Sequence, residues 1–173
     1  LYFNYLAGQA GVDATTAPAY WSYAASIVTL CVAIISPILG TLSDFSGYKR
    51  PIFMFFACAG VIGCAALGIP MPWLVFLVVF IVTKIFYSAS LVFYDAMLVD
   101  VTTHDRTDDV SSKGYAWGYI GSCIPFLVSI AIVLLTDLEY AVSIPIALII
   151  NALWWLGFTL PLAKTYPHPQ FVP

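Results

Sequence analysis

Long, nearly uncharged stretches are the feature that most constrains this chain. A bilayer core is about 30 Å thick, and a helix that crosses it needs roughly 20 apolar residues in succession. Because lipid offers the backbone no hydrogen-bonding partners, stretches of this length are expected to be helical. The sequence therefore predicts an all-α, polytopic membrane helical bundle. Its full transmembrane helices are expected at residues 21–43, 52–69, 73–98, 115–136 and 142–163.

The composition also indicates a membrane protein. Of 173 residues, 62% are hydrophobic and 9% are charged, whereas soluble domains average about 25% charged residues. Lys49 and Arg50 form the only adjacent basic pair, so no nucleic-acid interface is expected. No H-E-x-x-H motif, buried His or mid-span carboxylate pair is present. We therefore predict no metal centre, no cofactor and no enzymatic activity.

The basic residues predict the orientation of the chain in the membrane. If successive loops are assigned to alternate sides of the membrane, every Lys and Arg of the loops falls on one side. The charged residues on the other side are all acidic. The basic side contains Lys49, Arg50, Arg106, Lys113 and Lys164. By the positive-inside rule, loops 44–51 and 100–113 and the C-terminal tail are predicted to be cytoplasmic. We expect the bacterial cytoplasmic membrane, or the vacuolar membrane if the source is eukaryotic.

The first residues differ from the rest. Segment 1–7 is apolar and aromatic but far too short to cross a bilayer, and the chain opens without Met. We interpret this segment as the last turns of a helix whose beginning is missing. Residues 1–173 are then expected to be an N-terminal transmembrane half-domain.

A short motif joins the first two full spans. It reads G-x-x-x-D-x-x-G-x-K-R and comprises Gly40, Asp44, Gly47, Lys49 and Arg50. Gly40 allows another helix to approach closely. Asp44 can accept hydrogen bonds from the free N–H groups of a neighbouring helix, and Gly47 supports a turn. The basic pair is expected at the lipid surface. The alternative is an ordinary tight loop whose positive charges lie on the cytoplasmic side.

This motif resembles the signature loop between the second and third helices of the major facilitator superfamily. In that family the loop closes the cytoplasmic side against the other half of the molecule. The resemblance implies helices one to six of a twelve-helix fold, with the substrate near the midplane between two halves. It also implies a small-molecule solute, a coupling ion, and the C-terminal half of the same protein as partners.

A longer stretch narrows the resemblance. Residues 90–98 read S-L-V-F-Y-D-A-M-L, and residues 110–121 read V-S-S-K-G-Y-A-W-G-Y-I-G. They are similar to the vacuolar amino-acid effluxer-like branch, which typically reads S-L-V-F-Y-N-A-L-L-P-D and V-S-x-x-G-x-A-x-G-Y-x-G. Here Asp95 stands where Asn is usual, and Val99 where Pro is usual. Amino acids are the first candidate solute, but neither substrate nor coupling ion is carried over.

Small residues form one face of the fourth full span. Gly114, Gly118, Gly121 and Pro125 recur at helical spacing. Such faces let backbones pack closely in lipid, so we predict helix packing here. Lining of an aqueous path is the alternative interpretation.

Charges within the spans predict a path for solute or ions. Lys84 lies near the bilayer centre, where an ionised Lys costs roughly 2.5–3.5 kcal/mol on insertion scales. Tyr87, Ser88 and Asp95 follow it on one helical face. The alternatives are that Lys84 snorkels to an interface and that Asp95 marks a helix end. Asn151, midway along the last span, is explained equally well by the path or by one interhelical hydrogen bond.

These observations predict a secondary transporter that works by alternating access, without ATP, because no Walker-type loop is present. The alternative is a non-transporting membrane scaffold or assembly factor, which would not require Lys84. A membrane-embedded enzyme would need convergent catalytic groups, which the sequence does not offer.

Overall fold

The computed structural model describes residues 2–45, 47–103 and 106–166, and of residue 99 only the backbone. The C-terminal tail predicted to be cytoplasmic lies outside the described residues from position 167 onward, as do Ser46 and residues 104–105 of the predicted basic loops. Within the described part the chain is all-helical. The helices are α1 Tyr2–Gln9, α2 Ala17–Ser43, α3 Lys49–Ala66, α4 Trp73–Val101, α5 Thr107–Leu135 and α6 Tyr140–Thr165.

Helices α2 to α6 are each long and apolar enough to cross a membrane, which confirms the predicted fold class. Each overlaps one predicted span, and the two differ mainly at the ends. α5 begins at Thr107, eight residues before the predicted span, and carries Asp108 and Asp109 in its first turn. Carboxylates there interact favourably with the positive end of the helix dipole. Hydropathy detects only the apolar part of such a helix.

Aromatic side chains hold together one end of the bundle, which we call the acidic end after Asp13, Asp137 and Glu139. The short helix α1 packs here. The ring of Phe3 lies 5.7 Å from that of Trp21 in α2 and 6.2 Å from that of Trp73 in α4. These contacts bring the starts of α2 and α4 together beneath α1.

A second buried cluster lies toward the opposite end, which we call the basic end after Lys49, Arg50 and Lys164. Its members come from α2, α3, α4 and the residue after α6, and α4 contributes three of the seven. The cluster comprises Leu39, Phe53, Ala57, Ala89, Phe93, Met97 and Tyr166. Phe93 is completely buried.

Two glycines of α3 allow its neighbours to approach closely. The indole of Trp155 in α6 occupies the place where a side chain at Gly60 would begin. Thr83 of α4 does the same at Gly63, where its Cβ lies 3.0 Å from an ideal Cβ position. Helix association in lipid relies on such close packing, because water does not drive apolar surfaces together there. α3 is thereby pressed against both α4 and α6.

Candidate functional site

One face of α4 carries the predicted path residues. Lys84, Tyr87, Ser88 and Asp95 recur at spacings of three, four and eleven residues, and with Leu91 they make up what we call the open face of α4. Lys84, Leu91 and Asp95 are exposed, Tyr87 is 37% exposed and Ser88 is half-buried. At Lys84, Leu91 and Asp95 the open face is therefore not covered by the described helices.

Lys84 contacts an aromatic ring but no carboxylate in the described part of the chain. It lies eleven residues beyond the first residue of α4, and its Nζ is 4.6 Å from the centroid of the Tyr87 ring. A cation–π contact contributes roughly 0.5–2 kcal/mol. Burying an ionised Lys at the bilayer centre costs about 2.5–3.5 kcal/mol. The ring therefore offsets only part of that cost.

The Tyr87 ring is held by residues that the sequence patterns did not single out. Trp155 meets it edge to face, with ring centroids 5.4 Å apart and an interplanar angle of 78°. Trp155 can lie there because Gly60 leaves room for its indole. The small-residue pattern that was applied to α5 also occurs in α3 and would have indicated a close helix approach at Gly60, but not the contact between Trp155 and Tyr87.

Asp95 lies nearer the basic end of the same face. Eleven residues separate it from Lys84, which corresponds to about 16 Å of helical rise. The two charges therefore do not pair directly. The Asp95 side chain makes no hydrogen bond with any described residue, and it stays exposed.

Asn151 connects two helices. Its amide nitrogen donates to Ser129 Oγ of α5 at 3.0 Å and to the carbonyl oxygen of Ala147 in its own helix at 2.8 Å. This is an interhelical hydrogen bond of the kind that the packing alternative expects. A role for Asn151 in the path remains a prediction.

The loop motif forms the joint between α2 and α3. Gly40 lies in the last turns of α2 with open space beside it, and Asp44 follows the helix as an exposed side chain. Gly47 has a φ of 80°, which is rare for residues with a side chain and explains the need for Gly in this turn. Lys49 begins α3, and Arg50 is half-buried beside it.

Lys49 forms an ion pair instead of lying free at the lipid surface. Its Nζ donates to the two carboxylate oxygens of Asp100, in α4, at 2.8 and 3.0 Å. It also approaches the carbonyl oxygen of Ala96 at 3.4 Å. Both charged side chains are only 17% exposed. The pair therefore ties the start of α3 to the end of α4.

Tyr166 extends this contact to α6. Its hydroxyl donates a hydrogen bond to the Asp100 carboxylate, and the residue is 6% exposed. Burial raises the pKa of the Tyr166 hydroxyl, and the hydrogen bond and negative charge of Asp100 raise it further. We call Lys49, Asp100 and Tyr166 the basic-end triad. The sequence patterns did not indicate Asp100 or Tyr166 as partners of Lys49. The opposite charges of Lys49 and Asp100 could have suggested that ion pair, but no pattern indicated Tyr166.

The small-residue face of α5 is largely open. A Cβ added at Gly114, Gly118 or Gly121 would meet nothing within 4 Å, whereas Pro125 is buried. The described helices thus provide no packing partner for the three glycines. Their role in helix packing remains a prediction.

Comparison with known proteins identifies the family. A family model described as vacuole effluxer Atg22-like matches residues 8–105 and 99–171. The chain belongs to this family. It is also 42% identical over 181 residues to a Bacillus subtilis (strain 168) protein described as the uncharacterized MFS-type transporter YxiO. No solved structure matches the chain.

The match to YxiO covers 99% of this chain and 41% of YxiO. The chain therefore spans less than half the length of that relative. Together, the two matches confirm the resemblance to the major facilitator superfamily and to its effluxer-like branch. They support a transporter, and the helices support an integral membrane protein.

Proposed function

We propose that this protein is a secondary active transporter that moves a small solute by alternating access. The main support for the proposal is the open face of α4, where Lys84 lies exposed midway along an apolar helix. Ionisable side chains at this depth normally face a path or a partner, because lipid penalises them. A membrane scaffold would not require such a residue.

The rest of α4 suits the wall of a path. Its opposite face packs on α2 and α3 through Phe93, Ala89 and Thr83, so the open face is presented by a firmly held helix. In transporters of this architecture the site lies near the midplane between two halves that rock against each other. We propose that the C-terminal half of the complete protein forms the opposite wall.

The basic end is proposed to act in gating. The basic-end triad joins the ends of α3, α4 and α6, so that these helices would move as one body. Asp44, which directly follows α2, is exposed and makes no hydrogen bond with a described residue through its side chain. We propose that Asp44 meets the N-terminus of a helix in the other half when this end closes. The loop residues Gly40, Gly47 and Arg50 would shape that contact.

We also propose an energy source for transport, a class of solute, and an orientation of the protein in the membrane. An ion gradient drives transport, and amino acids are the first solutes to test. The basic end faces the cytoplasm, since loops rich in Lys and Arg are retained on that side. A bacterial cytoplasmic membrane is the expected location.

Transport by the complete protein in proteoliposomes tests the function. We expect uptake of a labelled amino acid from a mixed panel to depend on an imposed proton or sodium gradient, and Lys84→Ala to abolish it. Lys164→Ala is the matched control, because it removes an exposed Lys at the end of α6. Unchanged uptake in Lys84→Ala would contradict the assigned path. A wild-type protein that moves nothing in the panel under either gradient would contradict the proposed function.

Asp44→Asn tests the gating role separately. It removes the charge that closure would use, so we expect the balance between inward- and outward-facing states to shift. Thiol labelling of single cysteines placed on either side of the membrane measures this balance. Identical labelling of the variant and the parent would count against the role of Asp44.

A further inference from the structure

We infer that Lys84 binds a carboxylate group of the transported solute, with the Tyr87 ring holding the ammonium in position. This inference rests on the proposed function and names the chemistry of its site. The starting observation is an imbalance of charge: Lys84 is a cation near the middle of a span, and no described acidic side chain lies within ion-pair distance. The anion that balances it is therefore expected to come from what the path carries.

The described neighbours of Lys84 on the open face cannot supply that charge. Tyr87 and Ser88 are neutral side chains, and Asp95 lies about 16 Å further along the helix. The Tyr87 ring contacts the ammonium through its face, with the ring centroid 4.6 Å from Nζ. An ammonium has three N–H donors, so Lys84 retains donors for an incoming anion.

A carboxylate fits this site better than a phosphate does. Phosphate groups are commonly held by Arg forks, by several cations or by backbone N–H groups at a helix N-terminus. Here α4 runs uninterrupted past Lys84, and the open face offers one point charge beside an aromatic ring. A single positive charge balances one carboxylate, and the exposed part of the Tyr87 ring can pack against the apolar part of the same solute.

The position of the ammonium is fixed through a chain of contacts. Tyr87 is braced by Trp155 at 5.4 Å, and Trp155 lies in the space that Gly60 leaves. Helices α3, α4 and α6 thus all contribute to the placement of one cation. Tyr87 and Trp155 act as positioning residues, and Lys84 makes the contact with the solute.

Paired ligands test the inference on the complete protein in detergent. Each carboxylate is compared with its own amide: L-leucine with L-leucinamide, lactate with lactamide and succinate with succinamide, with sodium chloride as the inorganic anion. We expect at least one carboxylate to raise the unfolding temperature by roughly 2 °C or more at saturation, and its amide not to. Failure of every carboxylate to stabilise the wild type would reject the inference, as would equal stabilisation by a carboxylate and its amide.

Variants then assign the effect to Lys84. Lys84→Gln should weaken carboxylate binding by about tenfold or more, because a charge-assisted contact is lost. Lys84→Arg should retain part of the affinity, and Lys164→Gln, the matched control, should retain all of it. Tyr87→Phe keeps the ring and should bind as the wild type does, whereas Tyr87→Leu should bind more weakly. Full carboxylate affinity in Lys84→Gln would overturn the assignment.

Two rival anions give different results. If a carboxylate elsewhere in the complete protein pairs with Lys84, Lys84→Gln should lower the unfolding temperature without ligand and leave carboxylate selectivity unchanged. If an inorganic anion is the natural occupant, chloride alone should stabilise the wild type and fail to stabilise Lys84→Gln. Either result would overturn the inference.

Transport assays separate this inference from the proposed function. Lys84-dependent uptake of an amide as fast as its carboxylate would leave the transporter proposal standing and contradict the carboxylate site. Carboxylate binding that requires Lys84, without any transport across a range of gradients, would support the site and contradict the transporter.

Discussion

The two faces of α4 differ in burial and in charge, although they belong to one helix. The packed face carries Ala89, Phe93 and Met97, which are buried against α2 and α3. The open face carries Lys84 and Asp95, which no described helix covers. The residues that stabilise the bundle and those assigned to the path thus lie on opposite sides of one element. Substitutions on the two faces should therefore have separable effects.

The largest loss of stability is expected from Phe93→Ala on the packed face. Removing a fully buried ring from a soluble core costs about 3–5 kcal/mol, part of which is transfer from water. Between helices in lipid that part is missing, so we expect about 3 kcal/mol. Unfolding in a denaturing detergent measures it. Phe126→Ala, which truncates a 60%-exposed ring of α5, is the control, and equal losses in the two variants would break the comparison.

Gly63→Ala should have the next largest effect. The added Cβ would overlap the Thr83 side chain, which is β-branched and cannot easily move away. Overpacking of this kind costs about 1–3 kcal/mol. Gly157→Ala in α6 is the matched control, because a Cβ there meets nothing within 4 Å. An unchanged stability for Gly63→Ala would show that α3 and α4 are less tightly packed than described.

Tyr166→Phe should have a smaller effect at the basic end. It removes the hydrogen bond to Asp100 and keeps the buried ring, so we expect a loss of about 1.5 kcal/mol, typical of a bond to a charged group. Tyr119→Phe, which alters a 73%-exposed residue of α5, should change nothing. The same unfolding assay applies. A neutral Tyr166→Phe would remove α6 from the basic-end triad.

Asp95→Asn should have the smallest effect on stability, within about 0.5 kcal/mol, because exposed substitutions rarely cost more. Its effect should appear in transport, as a changed dependence of uptake on the imposed ion gradient. Gradient-dependent uptake in proteoliposomes checks this. A clear loss of stability with an unaltered dependence on the ion gradient would show that Asp95 contributes to helix packing and not to the path.

The membrane-spanning helices are the part of the fold that could be predicted from the sequence. Lipid leaves a long apolar segment little choice but a helix, so the helices α2 to α6 could be predicted. The period of the helix is also enough to place Lys84, Tyr87, Ser88 and Asp95 on one face. The polar first turns of α5 could not be found in this way, since hydropathy responds only to apolar residues.

The contacts between helices could not be predicted. α4 and α6 are apolar on nearly all sides, so their sequences do not determine how each helix is rotated about its axis. The contact of Trp155 with Tyr87 and the hydrogen bond from Tyr166 to Asp100 depend on that rotation. Lys49 was expected at the lipid surface. Its partner Asp100 lies 51 positions further along the chain, and the sequence does not show that the two side chains meet.

Whether the open face of α4 borders water or lipid decides most directly between a transport path and a merely exposed helix. A single cysteine at Leu91, which lies between Lys84 and Asp95 on the open face, tests this in the complete protein with all native cysteines replaced. Membrane-impermeant thiol reagents need water, because the thiolate is the reactive form. Leu153→Cys, on a 62%-exposed apolar position of α6, is the control that we expect to face lipid. We expect Leu91→Cys to react from both sides of the membrane, and less so with transported solute present, while Leu153→Cys stays unreactive. Protection of Leu91→Cys from both sides, equal to that of Leu153→Cys, would show that the open face meets lipid and carries no path.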